Sequence, residues 1–283
     1  LTGLDALAMR NAFGLAGSQS AGTWASWGTP TVKFHQSRGA ASGLLAGLLA
    51  GQGFTASADI LTHRDGGILH AYSDGGRPAA LTDRLGEHWE LEEIALRLWP
   101  GGTPLQPTLT AAFDLIAAHA PDFGAIRAVR IDVAPDVYEA HARFDRPKGT
   151  FEALLSYHFA VASALRDRRF GLSSVGPAAV DDGALGAFMA ARVRLEADPA
   201  LTRTASRVTV DMVDGRTLTQ RSDAAKGTRA NPAGLDDLGA KFRTCADGRL
   251  SDAEARELFD RIVGLEDQAD LTRLFALLAA AGP

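Results

Sequence analysis

Lys33, His35, Gln36 and Arg38 crowd cationic and hydrogen-bonding side chains into one short run, KFHQSR, directly ahead of a tract of small residues. Where such a run meets the start of a helix, unpaired backbone N–H groups and the positive end of the helix dipole favour an anion, most simply a carboxylate or a phosphate. Spacing alone also fits solvated cations and a hydrogen-bonded histidine, so chemistry and ordinary surface decoration both stand at this point.

The element that must carry the run is a helix. Gly39, Gly43, Gly47 and Gly51 recur every fourth residue and line one strip, while Leu44, Leu45, Leu48 and Leu49 supply apolar bulk elsewhere. An interior helical glycine costs roughly 1 kcal/mol relative to alanine, so four in register predict close backbone approach and a buried helix.

The chain has 283 residues, 46% hydrophobic and 22% charged, the profile of an ordinary globular protein of one large or two smaller domains. A formal net charge of −5 argues against nucleic acid as the main partner. No apolar run approaches the ~20 residues needed to cross a bilayer, and Leu1 to Leu4 has no signal-peptide pattern. The expectation is a cytoplasmic protein without a membrane partner. The single cysteine, Cys245, cannot form an internal disulfide and reads as a packing residue beside Phe242. No Cys/His spacing or carboxylate cluster calls for a metal, and no cofactor is expected.

Along the chain, Leu4 to Gly22 reads as a helix, Thr23 to Val32 as a loop, and Asp59 to Arg84 as a loop-rich stretch with short helices. Pro107 to His119 is an amphipathic helix, and Ile126 to Ala134 alternates as a strand with one wet face. Helices follow at Phe151 to Leu165 and around Ala184 to Arg192. Arg207 to Thr219 is a hairpin turning at Asp214-Gly215. Asn231-Pro232 predicts a helix start, and Ser251 to Glu254 is a capping box ahead of helices Ala253 to Gly264 and Asp270 to Ala281. Helical ends around a mixed middle imply an α+β unit with an antiparallel sheet.

Four stretches, in order, resemble the MmgE/PrpD family of 2-methylcitrate dehydratases and cis-aconitate decarboxylases. Gly14 to Gly22 is similar to "A-L-G-I-A-G-S-Q-A-S-G". Lys33 to Thr55 is similar to "K-x-x-H-x-G-x-A-A-x-x-G-x-x-A-A-x-L-A-x-x-G-F-T", with Lys33 two rather than three residues ahead of His35. Leu96-Arg97-Leu98-Trp99-Pro100 stands at a "K-x-x-P" site with arginine for lysine. Lys226 to Pro232, followed by Lys241-Phe242 and Leu265-Glu266, looks like "K-G-x-x-x-N-P-L … K-F … L-E". Ser156-Tyr157-His158-Phe159 is also similar to the family's "F-S-x-x-Y-x-x-A" region, with Phe159 where some members have tyrosine.

The resemblance implies an all-α helical domain interrupted by an α+β lid, with the active site in a cleft between them. It divides this chain into a first helical part at 1–90, a lid at 91–225 and a C-terminal helical part at 226–283. The helical domain is expected to be incomplete, lacking its N-terminal half and, with it, an aspartate- and histidine-containing loop and a further histidine that face the substrate in the family. A second polypeptide is one source of that half, and a homodimer or hetero-oligomer is expected. The implied activity is a cofactor-free lyase that dehydrates a small di- or tricarboxylic acid by removing a proton next to a carboxylate. An epimerase or isomerase, or a non-catalytic half-subunit, is the alternative. Lys33, His35 and His158 are the expected catalytic residues. Gln36, Arg38, Arg97, Ser156, Tyr157 and Lys226 are expected to bind substrate.

Overall fold

The computed structural model describes residues 2–282, which fall into two compact units, one running to Trp89 and one beginning at Glu90. The first unit holds α1 (Ala6–Ser18), α2 (Thr31–Gly51) and the short α3 (Ile68–Tyr72). Asp5 caps α1 by accepting the Ala8 N–H at 2.8 Å. Gly14 lies where a side chain would collide with the Ser57 backbone carbonyl, so the chain after α2 closes onto α1 at that glycine. The Asn11 side chain fixes the contact by accepting the Ala56 N–H at 3.1 Å.

The glycine strip of α2 does not do what its spacing predicts. Ser42, Ala46 and Ala50 form the buried face, one residue and about 100° round the helix from the glycines. A methyl group at Gly39, Gly43 or Gly47 would meet nothing within 4 Å, and Leu44, Leu45 and Leu48 are exposed. The small Ser/Ala strip packs, and Gly39, Gly43 and Gly47 remain open, while Gly51 lies against the Leu4 side chain.

The second unit carries the main core. Its elements are α4 (Gln106–His119), β1 (Ile126–Val133), α5 (Pro135–His141), α6 (Thr150–Ala153), α7 (Tyr157–Asp167), α8 (Pro177–Val180) and α9 (Gly183–Arg192). Then come β2 (Val193–Ala197), β3 (Ser206–Met212), β4 (Thr217–Ser222), α10 (Leu235–Ala246), α11 (Asp252–Val263) and α12 (Thr272–Ala280). The sheet order is β2-β1-β3-β4. The unit is α+β, but the sheet is mixed, because β2 runs parallel to β1 while the β1–β3 and β3–β4 pairs are antiparallel. Val193–Ala197 follows α9 with no intervening turn, and RLEA reads as helix former, which hid the strand from pattern reading. A bulge between Ile126 and Ala128 lets Ile126 and Val129 both point inward despite their odd spacing.

Leu105, Leu109 and Leu115 of the α4 region pack with Phe159, Val161 and Leu165 of α7 and with Val129, Ile131 and Val210 of the sheet. The Phe151–Leu165 stretch is two helices, broken at Leu154–Ser156, where the Ser156 hydroxyl caps α7 by accepting the Phe159 N–H at 3.1 Å. Asn231 does not cap a helix. Its amide donates to the Ala224 carbonyl at 3.1 Å, and α10 starts instead beyond Gly234, with Asp237 accepting the Gly234 N–H. The Ser251–Glu254 capping box forms as its sequence predicts. No helix among the described residues is long and apolar enough to cross a membrane.

Candidate functional site

Lys33, His35, Gln36 and Arg38 lie inside α2, not in a loop ahead of it. The Val32 and Lys33 N–H groups donate to the Thr29 and Pro30 carbonyls, so these first-turn donors are already engaged. At 3.6 residues per turn, Lys33 and Gln36 share one side of the helix and His35 and Arg38 share another, the two pairs pointing largely apart. Lys33, Gln36 and Arg38 are exposed; His35 is half-buried, with its ring over Gly22.

In the second unit, Arg97 and Lys226 flank a backbone junction. The Leu96 N–H donates to the Gly227 carbonyl at 2.8 Å, and Gly227, with φ of +98°, sits so close to the Leu96 carbonyl that no side chain fits there. The Arg97 guanidinium donates to the Gly101 carbonyl at 3.1 Å, and Lys241 donates to the Arg97 carbonyl at 2.7 Å. Lys226 pairs with Asp237 at 3.3 Å. Arg97, Lys241 and Asp237 line a cavity of about 690 Å³, while Ser156, Tyr157, His158 and Lys226 are not on its walls.

Ser156 and Tyr157 are occupied by the fold. Ser156 is fully buried as the α7 cap, and the Tyr157 hydroxyl donates to the Pro104 carbonyl at 2.7 Å. Burial pushes the Tyr157 pKa far up, so the phenol stays protonated. His158 is different: it is 8% exposed, and its Nδ1 has no hydrogen-bond partner among the described residues. Burial holds its pKa below the ordinary histidine value, opposed by Asp145 and reinforced by Arg194, which leaves a neutral imidazole. Phe159 is 1% exposed and lies edge-on to Phe170, with ring centroids 6.3 Å apart, so position 159 offers core packing and no proton donor.

The local sequence gives no sign that Arg168, Arg169 and Arg243 share the cavity wall, and Cys245, which reads as a packing residue, lies there too. Cys245 is exposed rather than packed, because Ala246 is the α10 residue that turns inward. Arg169 comes from the chain after α7 and Arg243 from α10, so no local pattern links them. Among the described residues, no group of three or more His, Cys, Asp or Glu is placed to hold a metal ion.

The family model described as the MmgE/PrpD C-terminal domain matches residues 99–265, and the MmgE/PrpD N-terminal domain model matches residues 1–80. The latter match lends no support to the expectation that the helical part lacks its first half. The chain is similar to a cis-aconitate decarboxylase of Aspergillus terreus, 24% identical over 302 residues covering 98% of this chain and 61% of that protein. It is also similar to the Homo sapiens cis-aconitate decarboxylase, 25% identical over 294 residues, 99% of this chain and 60% of the relative. The Mus musculus counterpart is 27% identical over 290 residues, 98% of this chain and 58% of the relative. The chain thus spans about three fifths of the length of the curated relatives it matches.

Proposed function

This chain belongs to the MmgE/PrpD family, and from that premise we propose that it serves a lyase acting on a small di- or tricarboxylic acid, without a cofactor, at a carbon next to a carboxylate. The observation that carries the reading is the match of both family domains, in order, along this one chain. Dehydration, decarboxylation and epimerisation of such acids share one obstacle, the negative charge that grows on a carboxylate-bearing carbon. A fixed cation or donor aimed at that charge is worth about 10²–10³ in rate, and a positioned base about 10²–10⁴.

In this proposal Lys33, His35 and His158 are the catalytic residues, and Gln36, Arg38, Arg97, Ser156, Tyr157 and Lys226 serve binding. The cap and hydrogen-bond positions of Ser156 and Tyr157 give those two a supporting part. Arg97 binds a carboxylate as a permanent cation and is a poor base. With phenylalanine at position 159 buried in the core, dehydration is favoured over decarboxylation. The relatives' name as decarboxylases supports the second reading, in which carbon dioxide leaves instead of water. The organisation into 1–90, 91–225 and 226–283, a cytoplasmic location, a dimeric or hetero-oligomeric state and a second polypeptide completing the site belong to the same proposal. The open face of α2 supports that completion.

The deciding experiment incubates the purified chain, with any polypeptide that co-purifies, with hydroxy- and unsaturated polycarboxylates in D₂O under NMR observation. Loss of water identifies a dehydratase, loss of carbon dioxide a decarboxylase, and deuterium uptake with inversion an epimerase. Silence across the panel sinks the lyase reading and leaves a binding subunit. Mass spectrometry of the same material tests the partner: a sole 29.7 kDa species with full turnover removes it.

A further inference from the structure

The cavity of about 690 Å³ in the second unit falls within the size range of small-molecule sites and has walls of two kinds. One is aromatic: Trp99 and Phe113 stack with ring centroids 5.0 Å apart and planes 11° from parallel, and Phe170 joins them. The other carries Arg169 and Arg243, and neither guanidinium makes a hydrogen bond or ion pair with another described residue. Elsewhere in this unit Arg166, Arg207, Arg261 and Arg273 each engage a carboxylate. Open guanidiniums beside an apolar wall suit a carboxylate attached to an apolar body, because arginine binds that group through paired N–H donors.

The border also contains Asp247 and Asp252, at the turn between α10 and α11. With Asp237 they set three carboxylates among the cations Arg97, Arg168, Arg169, Lys241 and Arg243, so charge favours an anionic head and the aromatic wall selects the body attached to it. We propose that this cavity is a binding site for a small amphipathic monocarboxylate, its head held by Arg169 and Arg243 and its aromatic or branched body against Trp99, Phe113 and Phe170. The inference goes beyond the proposed reaction, which takes polycarboxylates and uses neither arginine, although its Arg97 lines the same cavity.

Cys245, the sole cysteine of the chain, is exposed on the cavity wall and supplies a readout that needs no turnover. The full chain is alkylated with a maleimide at increasing phenylacetate, 2-phenylethanol or citrate. Phenylacetate is expected to slow labelling saturably, with 2-phenylethanol and citrate far weaker. Arg169→Gln and Arg243→Gln should each raise the half-protecting phenylacetate concentration roughly tenfold or more, the worth of one charge-assisted contact. Each variant is compared with its own unprotected rate, and circular dichroism checks its fold. No saturable protection, equal protection by the alcohol or by citrate, or indifference to both substitutions in folded protein overturns the site. Calorimetry of the unmodified chain with phenylacetate gives a second measurement, in which absence of binding has the same meaning. Protection in a protein that turns over no polycarboxylate keeps this site and removes only the lyase reading.

Discussion

Asp132 and Arg207 stand directly opposite each other on β1 and β3, with the guanidinium Nε donating to the carboxylate at 2.9 Å. The same guanidinium donates through Nη2 to Asp198 at 2.7 Å, so one arginine joins the β1–β3 ladder to the chain after β2. Asp132 is 4% exposed, and Arg130 is its other cationic neighbour, at 3.3 Å. Removing Arg207 would leave a buried carboxylate poorly paired, a change that typically costs about 3 kcal/mol or more. Arg207→Ala is therefore expected to lower the urea midpoint clearly, while Arg216→Ala at the exposed hairpin tip should change the unfolding free energy by less than about 0.5 kcal/mol. Equal effects would mean that the cross-strand pair contributes nothing special.

Glu257 predicts a pH dependence of the C-terminal helices. Hydrogen bonds from Arg273, on α12, and Arg261, on its own helix, hold its carboxyl down to about 2 from an ordinary 4.5. A depressed carboxylate stabilises the folded state above its unfolded value, so the contribution is complete above about 4.5 and fades as pH falls toward 2. Glu257→Gln should melt below the parent at neutral pH and converge with it as the medium is acidified. Parallel melting curves across that window would show that the Arg273 contact carries no stability.

Gly227 is the residue that lets the strand of chain before Arg97 meet the loop after Lys226. Its φ of +98° disfavours any side chain, and a methyl group would in addition strike the Leu96 carbonyl. Gly215 has a similar φ of +90° but open space around it. Gly215→Ala should therefore cost only the backbone strain, about 1–3 kcal/mol, and Gly227→Ala should exceed it. Thermal unfolding of the two variants side by side measures the difference, and equality would remove the close approach from the account.

Lys33 is exposed in the first turn of α2 and holds no described ion pair. Within the proposed function, Lys33→Ala should leave the melting temperature nearly unchanged and lower kcat/KM for a polycarboxylate by about 10²–10³. Unchanged turnover with an unchanged fold would take Lys33 off the site.

Elements announced by local chemistry were legible in the sequence. Asp214-Gly215 fixed the β3–β4 turn, Ser251 and Glu254 fixed the start of α11, and Pro107 to His119 lies within α4. What escaped depended on partners distant in the chain. The β2 strand exists because β1 offers an edge, the α2 helix buries Ser42, Ala46 and Ala50 in a unit where α1 packs against it, and Asn231 turns back to Ala224. The cavity was illegible for the same reason, since Arg169 and Arg243 become neighbours of one space only when α10 folds against the chain leaving α7. Cys245 shows how narrow the margin is, because one position along α10 separates an inward alanine from an outward thiol.

The angular spread of side chains around α2 limits how its residues can cooperate. A ligand seated on one flank of the cylinder meets Lys33 with Gln36, or His35 with Arg38, and reaches the other pair only by extending around the helix. Paired substitutions on one flank would then show energetic coupling, whereas Lys33 combined with Arg38 would behave as two independent lesions whose effects sum. The stretch that reads as one motif in the linear sequence is, on the folded chain, two separate instruments.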